Sequence, residues 1–356
     1  MKDFDIPRLR LYNQQITQGI IKNPADVVKW LGAVQAQDYL GSLWAIGLRT
    51  QHGTERDIEQ AIIDKTIIRT WPMRGTLHFV PALDIVWMLE LLAPRIIAKS
   101  AYRNKQLELN DNIFKKCRKL FIKALRGNKQ LSRDALYQVL ENAHIATRYQ
   151  RGLHILWRLA QERLICFGPR KERKQTFVLL SEWIPQAKTM DHDKSLCEIT
   201  MRYFKSHGPA QLQDFVWWSG LKTMDALTGV ELAKPHILKE VVDGKTYWFA
   251  SSLQTAKHTA EVYLLPGYDE FLVGYKERSA VLDYLYVKNT NAGGGMLNPT
   301  IVIDGRIEGT WKRSFKKNEV VISLDPFTVF TASQNDAIKI AAQRYGNFLT
   351  WSVSIL

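Results

Sequence analysis

Two glutamines flank one small residue in Gln35-Ala36-Gln37, and an aspartate, Asp38, follows directly. A glutamine side chain offers one acceptor oxygen and two donor hydrogens and does not titrate. The pair can therefore orient a water or a sugar oxygen without acting as a strong base. That equipment suits a bond whose leaving group departs readily on its own. A purine alkylated at N7 or N3 is such a group, because it already carries positive charge. Its glycosidic bond opens through an oxocarbenium-like sugar, and water positioning with electrostatic support then suffices. Asp38 is a further candidate for contact with such a base. Two glutamines closing a helix end explain the same residues without any chemistry.

Other residues could serve the same substrate. Between Arg69 and His78 the chain packs two cations, an aromatic ring, a glycine and a histidine into ten positions leading into a strand. Arg69 and Arg74 could grip phosphate there, with Gly75 letting the backbone come close. His78 is either a structural hydrogen-bonder or a DNA contact, and Trp71 either core or a wedge against the lesion. A basic turn, Pro169 to Lys174, offers Arg170, Lys171, Arg173 and Lys174 to a groove or a phosphate row. Lys312 and Arg313, between Trp311 and Phe315, suit backbone contact unless those aromatics are core. Asp269 and Glu270 are structural if paired to Arg278, and candidates for acid-base work if one faces the DNA unpaired. The Gly293-Gly294-Gly295 run lacks the context of a phosphate cradle and reads as a flexible loop. Metal ligands at recognisable spacing are absent, and no cofactor is expected.

The elements that would position these residues follow from periodicity. Helical patterns run from Leu9 to Thr17, Ala25 to Gln37 and Glu55 to Lys65, then a short extended piece from Thr76 to Val80 precedes a long helix from Ala82. Ser132 can cap a helix Arg133 to Glu141, followed by a helix Gln150 to Arg163 and a hairpin with a charged tip. A third round starts at Lys194, with helices to Ser206, from Gln211 to Trp218 and from Met224 to Thr228. It closes with strands Leu238 to Val242 and Thr246 to Ala250 around Asp243-Gly244. Helix, helix, helix, strand pair is the order of a winged-helix module. From Val262 onward the chain is β-rich, with a last helix from Gln334 to Arg344. The expected fold is α+β: winged-helix units over 1–100, 101–190 and 191–258, then a β-barrel-like domain over 259–356.

Lys plus Arg outnumber Asp plus Glu by 49 to 35, which favours a polyanionic partner. The excess concentrates between Arg95 and Lys129, where eleven Lys/Arg face only Glu108 and Asp111. The alternative for that stripe is a solvated helix face. The three cysteines, Cys117, Cys166 and Cys197, leave one unpaired in any disulfide scheme, so a reducing compartment is expected. No apolar leader core opens the sequence and no run reaches the length of a membrane span. A cytoplasmic, nucleoid-associated monomer without membrane partners is the expectation.

The sequence resembles the AlkZ-like, or YcaQ-like, family of winged-helix DNA glycosylases over essentially its whole length. The resemblance rests on Gly32-Ala33-Val34-Gln35-Ala36-Gln37, on Arg69 to His78, and on Leu264 to Arg278 together with Pro299-Thr300-Ile301-Val302. It implies a C-shaped assembly of tandem winged helices and a β-barrel, with double-stranded DNA in a basic concave face. It also implies monofunctional excision of N-alkylated purines, in some members including the unhooking of interstrand crosslinks. Gln35 and Gln37 match the family's glutamine pair, which would place the hydrolytic water and stabilise the sugar cation. Another branch carries Asp in place of the second glutamine, and position 37 here is Gln. A DNA-binding protein or transcriptional regulator that cuts nothing is the competing reading. A transferase or hydrolase working from the β-rich end is disfavoured by the missing nucleophile-base motifs.

Overall fold

The computed structural model describes residues 4–250 and 261–356, a mixture of helices and sheets. The chain gathers into two compact units. One holds the chain up to Ile58 together with Leu196 onward, and the other holds Glu59–Ser195.

In the Glu59–Ser195 unit, the Asp111–Leu125 helix starts where Asn110 accepts a hydrogen bond from the Ile113 N–H at 3.0 Å. Phe114, Cys117, Phe121 and Leu125 recur every three or four residues and are all buried, which fixes the face that packs inward. Ser132 caps the Arg133–Glu141 helix by accepting from the Ala135 N–H at 3.2 Å, a contribution of about 1 kcal/mol. The Arg151–Gln161 helix follows and buries Ile155, Leu156 and Leu159. Strands Ile165–Lys171 and Lys174–Leu179 then pair antiparallel with Phe167 opposite Phe177, and Leu131–Ser132 joins the second of them as a third strand. The hairpin turn is tighter than the sequence suggests. Only Glu172 and Arg173 form it, both with left-handed φ (49° and 65°), so Arg170, Lys171 and Lys174 belong to the strands.

A second hairpin corrects the reading of Arg69 to His78. That segment is strand, turn and strand: Ile67–Met73 and Thr76–Pro81 pair antiparallel around Arg74 and Gly75, whose φ values are 52° and 75°. A Cβ on Gly75 would stand 3.1 Å from the Trp157 ring, and the Trp157 indole donates to the Gly75 carbonyl at 3.0 Å. The glycine therefore admits an indole.

In the other unit, the Pro24–Leu31 helix buries Val27, Val28 and Leu31 and stops at Gly32, whose φ of +80° ends the helical run. The helix expected through Gln37 thus ends six residues earlier, and Val34–Gln35 is extended. A helix absent from the sequence reading, Tyr39–Arg49, follows. A Cβ at its Gly47 would lie 2.3 Å from the Phe348 ring, so this helix and the Ala332–Leu349 helix meet where one side chain is missing. The His192–His207, Leu212–Ser219 and Thr223–Ala233 helices lead to the hairpin Ile237–Val242 and Lys245–Ala250, turned by Asp243 and Gly244 as their sequence indicates. The β-rich end is an open, curled half-barrel of five strands. Their order is Ser352–Ile355, Glu319–Pro326, Arg306–Lys316, Thr300–Ile303 and Val262–Leu265, antiparallel except for the first pair. The three glycines 293 to 295 all have positive φ; Gly293 ends the first strand of a short pair, Asn291–Gly293 with Met296–Leu297, and Gly294 and Gly295 form its turn.

Candidate active site

The Gln-Ala-Gln segment leaves Gly32 in extended backbone and enters the Tyr39–Arg49 helix. Ala36 is fully buried, Gln35 keeps 8% of its surface exposed and Gln37 lies at the surface, so the two amides sit at different depths. Asp38 is partly exposed and its Oδ2 accepts from Arg313 Nη2 at 3.3 Å. A Cβ at Gly41 would come within 2.4 Å of that same Oδ2, so the glycine makes room for the carboxylate beside the first turn of the helix. Arg313 also donates to the Tyr345 hydroxyl at 3.0 Å, so this one side chain ties the Arg306–Lys316 strand both to the segment and to the Ala332–Leu349 helix.

Beneath this segment lies a buried polar network, and Leu264 to Arg278 supplies its acceptors. The Glu270 carboxylate receives the Gln35 backbone N–H at 2.8 Å on Oε1 and the Trp218 indole N–H at 3.0 Å on Oε2, with His207 Nε2 at 3.3 Å from Oε2. Its neighbour Asp269 takes a two-point ion pair from Arg49, at 2.8 and 2.9 Å, with both side chains essentially inaccessible to solvent. Arg49 also donates to the Gln14 carbonyl and side-chain oxygens and to the Ala45 carbonyl. Gln14 in turn donates to the Tyr275 hydroxyl, which donates to the His207 carbonyl at 2.7 Å. Trp44 and Trp311 reach the Leu264 and Leu265 carbonyls through their indole N–H groups at 2.8 and 2.9 Å. The partners of Asp269 and Glu270 are therefore Arg49 and the glutamine strand. Arg278 instead bonds the Tyr275 carbonyl. Trp311 is core, while Lys312 and Phe315 are exposed.

The remaining sequence candidates belong to the Glu59–Ser195 unit, where several are interior. Trp71 is 6% exposed and packs on Phe167 at 4.9 Å between ring centres. Arg69 is 7% exposed with its guanidinium over the same ring at 4.9 Å, so the expected phosphate grip is instead a packed cation. Both line a cleft of about 410 Å³ beside the Arg133–Glu141 helix. His78 is fully buried, with Nδ1 2.9 Å from the Thr76 carbonyl. Arg170 is ion-paired to Glu59, whereas Lys171, Arg173 and Lys174 are exposed at the hairpin tip and Arg74 is partly exposed at the other turn. The Asp111–Leu125 helix presents Lys115, Lys119 and Lys123 outward at four-residue spacing. Among the described residues no carboxylate lies within ion-pair distance of these three.

A sequence profile described as DNA glycosylase AlkZ-like matches residues 28–348. The chain belongs to the AlkZ-like family. A curated AlkZ-like relative from Streptomyces sahachiroi, named an interstrand DNA cross-link repair glycosylase, is 24% identical over 90% of this chain and 89% of its own. The solved structure of Streptomyces sahachiroi DNA glycosylase AlkZ superposes with a TM-score of 0.81 at 21% identity, covering 99% of this chain and 98% of that one. The AlkZ-like chain described here is accordingly an enzyme, a DNA glycosylase. Among its described residues no helix is long and apolar enough to cross a membrane.

For an AlkZ-like glycosylase, the chemistry concerns the bond between a base and its deoxyribose. The Gln35 to Asp38 segment carries two neutral amides and one partly exposed carboxylate. Arg49, Gln14, His207 and Trp218 escaped the sequence reading as site residues, and one signal was present. Arg49 is the only charged residue between Tyr39 and Arg49 in an otherwise apolar run, and a cation there must find a buried anion. Burial holds His207 below the usual imidazole range even with Glu270 beside it, which favours the neutral ring in the network.

Proposed function

We propose that this enzyme hydrolyses the N-glycosidic bond of purines alkylated at N7 or N3 in double-stranded DNA, leaving an abasic site. We further infer that it unhooks interstrand cross-links, the activity for which its Streptomyces relative is named. The observation that carries the reading is an uncharged amide pair mounted on a buried, hydrogen-bonded base. The alkylated purine leaves with the bonding electron pair and thereby loses its own positive charge, so no general acid is required. Charge then develops at the sugar, where the side-chain oxygens of Gln35 and Gln37 are suited to stabilise it and to hold the water that adds to C1′. That water's proton passes to solvent. Asp38, with Arg313 as its partner, adds negative potential next to the pair. No lysine lies between Gly32 and Asp38, so a Schiff-base route is not proposed.

The winged-helix reading has local support. Arg133–Glu141, Arg151–Gln161 and the hairpin that follows, with Leu131–Ser132 at its side, are ordered as helix, helix and wing. The three helices before the hairpin at Asp243-Gly244 repeat that order. On this reading DNA phosphates meet Lys171, Arg173 and Lys174 on one wing, Lys312 on the half-barrel, and the Lys115, Lys119 and Lys123 ridge. The deciding experiment measures 7-methylguanine freed from methylated duplex under single-turnover conditions. Gln35→Ala and Gln37→Ala should each slow release on the order of 10²-fold while duplex affinity holds. No release by the wild-type enzyme, or undiminished release by both variants, overturns the proposal.

A further inference from the structure

We propose that Glu270 is a positioning residue for excision: its buried carboxylate fixes the Gln35 peptide and so sets where the Gln35 amide is presented. The inference rests on the reading of Gln35 given above. Glu270 is 1% exposed and its two oxygens serve different structures. Oε1 accepts the Gln35 N–H at 2.8 Å, while Oε2 accepts the Trp218 indole N–H at 3.0 Å and faces His207 Nε2 at 3.3 Å. Ser206 Oγ lies 2.8 Å from His207 Nδ1 and donates its own proton to the Arg202 carbonyl at 2.7 Å, which holds the ring in place beside the carboxylate. Two N–H donors, the Gln35 peptide and the Trp218 indole, thus converge on one carboxylate, and neither carries a formal charge.

Trp218 closes the arrangement. A Cβ at Gly32 would lie 3.3 Å from the Trp218 ring, so the indole packs under the turn at which the helix ends and the glutamine strand begins. One carboxylate thus joins the support beneath the turn to the backbone of the first glutamine. An ionised carboxylate is costly to bury, and an uncharged residue of similar size would fill the space more cheaply. Only an acceptor-only group with two free oxygens satisfies both sides. Glutamine at 270 would turn an NH₂ toward either the Gln35 N–H or the Trp218 and His207 pair.

The test is a double-mutant cycle on single-turnover release of 7-methylguanine from methylated duplex, with duplex affinity measured in parallel. Glu270→Gln should slow release on the order of 10²-fold, as a displacement of about 1 Å does, with affinity changed less than about threefold. In the Gln35→Ala background the same change should have almost no further effect, because the group it positions is gone. Trp218→Phe, which leaves the Glu270 to Gln35 bond in place, should slow release less than about fivefold. Release by a folded Glu270→Gln protein at the wild-type rate, or additive effects in the cycle, would overturn the proposal while leaving Gln35 catalytic. If Gln35→Ala itself excises normally, the reading of the site has failed instead. Should Glu270→Gln not fold, the wild-type protein decides. Labelled with ¹⁵N-glutamine, it should show a Gln35 amide protected from exchange, and exchange at the free-peptide rate would refute the bond.

Discussion

Replacing Arg49 with Met tests the buried network at its centre. The substitution keeps the aliphatic stem in the Tyr39–Arg49 helix and removes a guanidinium that makes five hydrogen bonds, two of them to Asp269. Asp269 would keep the Phe271 N–H at 2.9 Å on Oδ1 but lose its only cation among the described residues. Since neither side chain reaches solvent, screening cannot soften the effect. Stranding one partner of a buried pair costs about 3–5 kcal/mol. In a unit of this size each kcal/mol lowers the midpoint by about 2–4 °C, which gives a fall of roughly 6–20 °C. Urea unfolding followed by tryptophan fluorescence reports on this unit through Trp44, whose ring sits 5.0 Å from Tyr345. The double variant Arg49→Met/Asp269→Asn should be destabilised by less than the two single variants combined, because it strands no charge. A single-variant destabilisation below about 1 kcal/mol would show that water reaches the pair, and the reasoning from burial would fail.

Three further outcomes follow from particular residues. Burial depresses the His207 pKa, so the unfolded chain takes up this proton near pH 6.5 and the folded chain only at lower pH. Stability from this group is complete above that value and is lost as pH falls below it, toward the folded pKa. His207→Gln should flatten that acid limb in a pH series of urea midpoints, and an unchanged limb would count against it. Reversing Lys115, Lys119 and Lys123 to Glu should lower the slope of log affinity against log salt by about 0.9 for each phosphate left unneutralised, read by fluorescence anisotropy. An unchanged slope would make the ridge a solvated face. Gly47→Ala should cost about 1–3 kcal/mol, since its Cβ would overlap the buried Phe348 ring, and a neutral result in denaturant unfolding would contradict the tight approach.

Features fixed within a few residues were legible in the sequence. The Ser132 cap, the stop at Gly220 and the turn at Asp243-Gly244 all come from local backbone chemistry, and the structure has them where the residues indicate. The Pro24–Leu31 helix was extended too far because Val34 continues its apolar spacing, whereas the positive φ at Gly32 overrides that pattern. Arg69, Trp71 and His78 look functional by type, yet residue type does not reveal depth, and all three are interior. Asp269 and Glu270 were noticed, but their partners are 220 and 235 residues away, beyond any spacing rule. The glutamine pair proposed to act on the bond lies within three adjacent letters. Its mounting needed the rest of the chain.

The unit that carries the glutamines is stitched from both ends of the polypeptide, with Glu59–Ser195 inserted between them. During synthesis, Gln35 leaves the ribosome early, and the carboxylate that accepts its N–H follows 235 residues behind it. A chain cut short before Glu270 therefore contains both glutamines and all of the inserted unit, yet lacks the carboxylate that accepts the Gln35 N–H. If Glu270 positions Gln35 as proposed, competence to cut DNA waits until most of the chain has been translated.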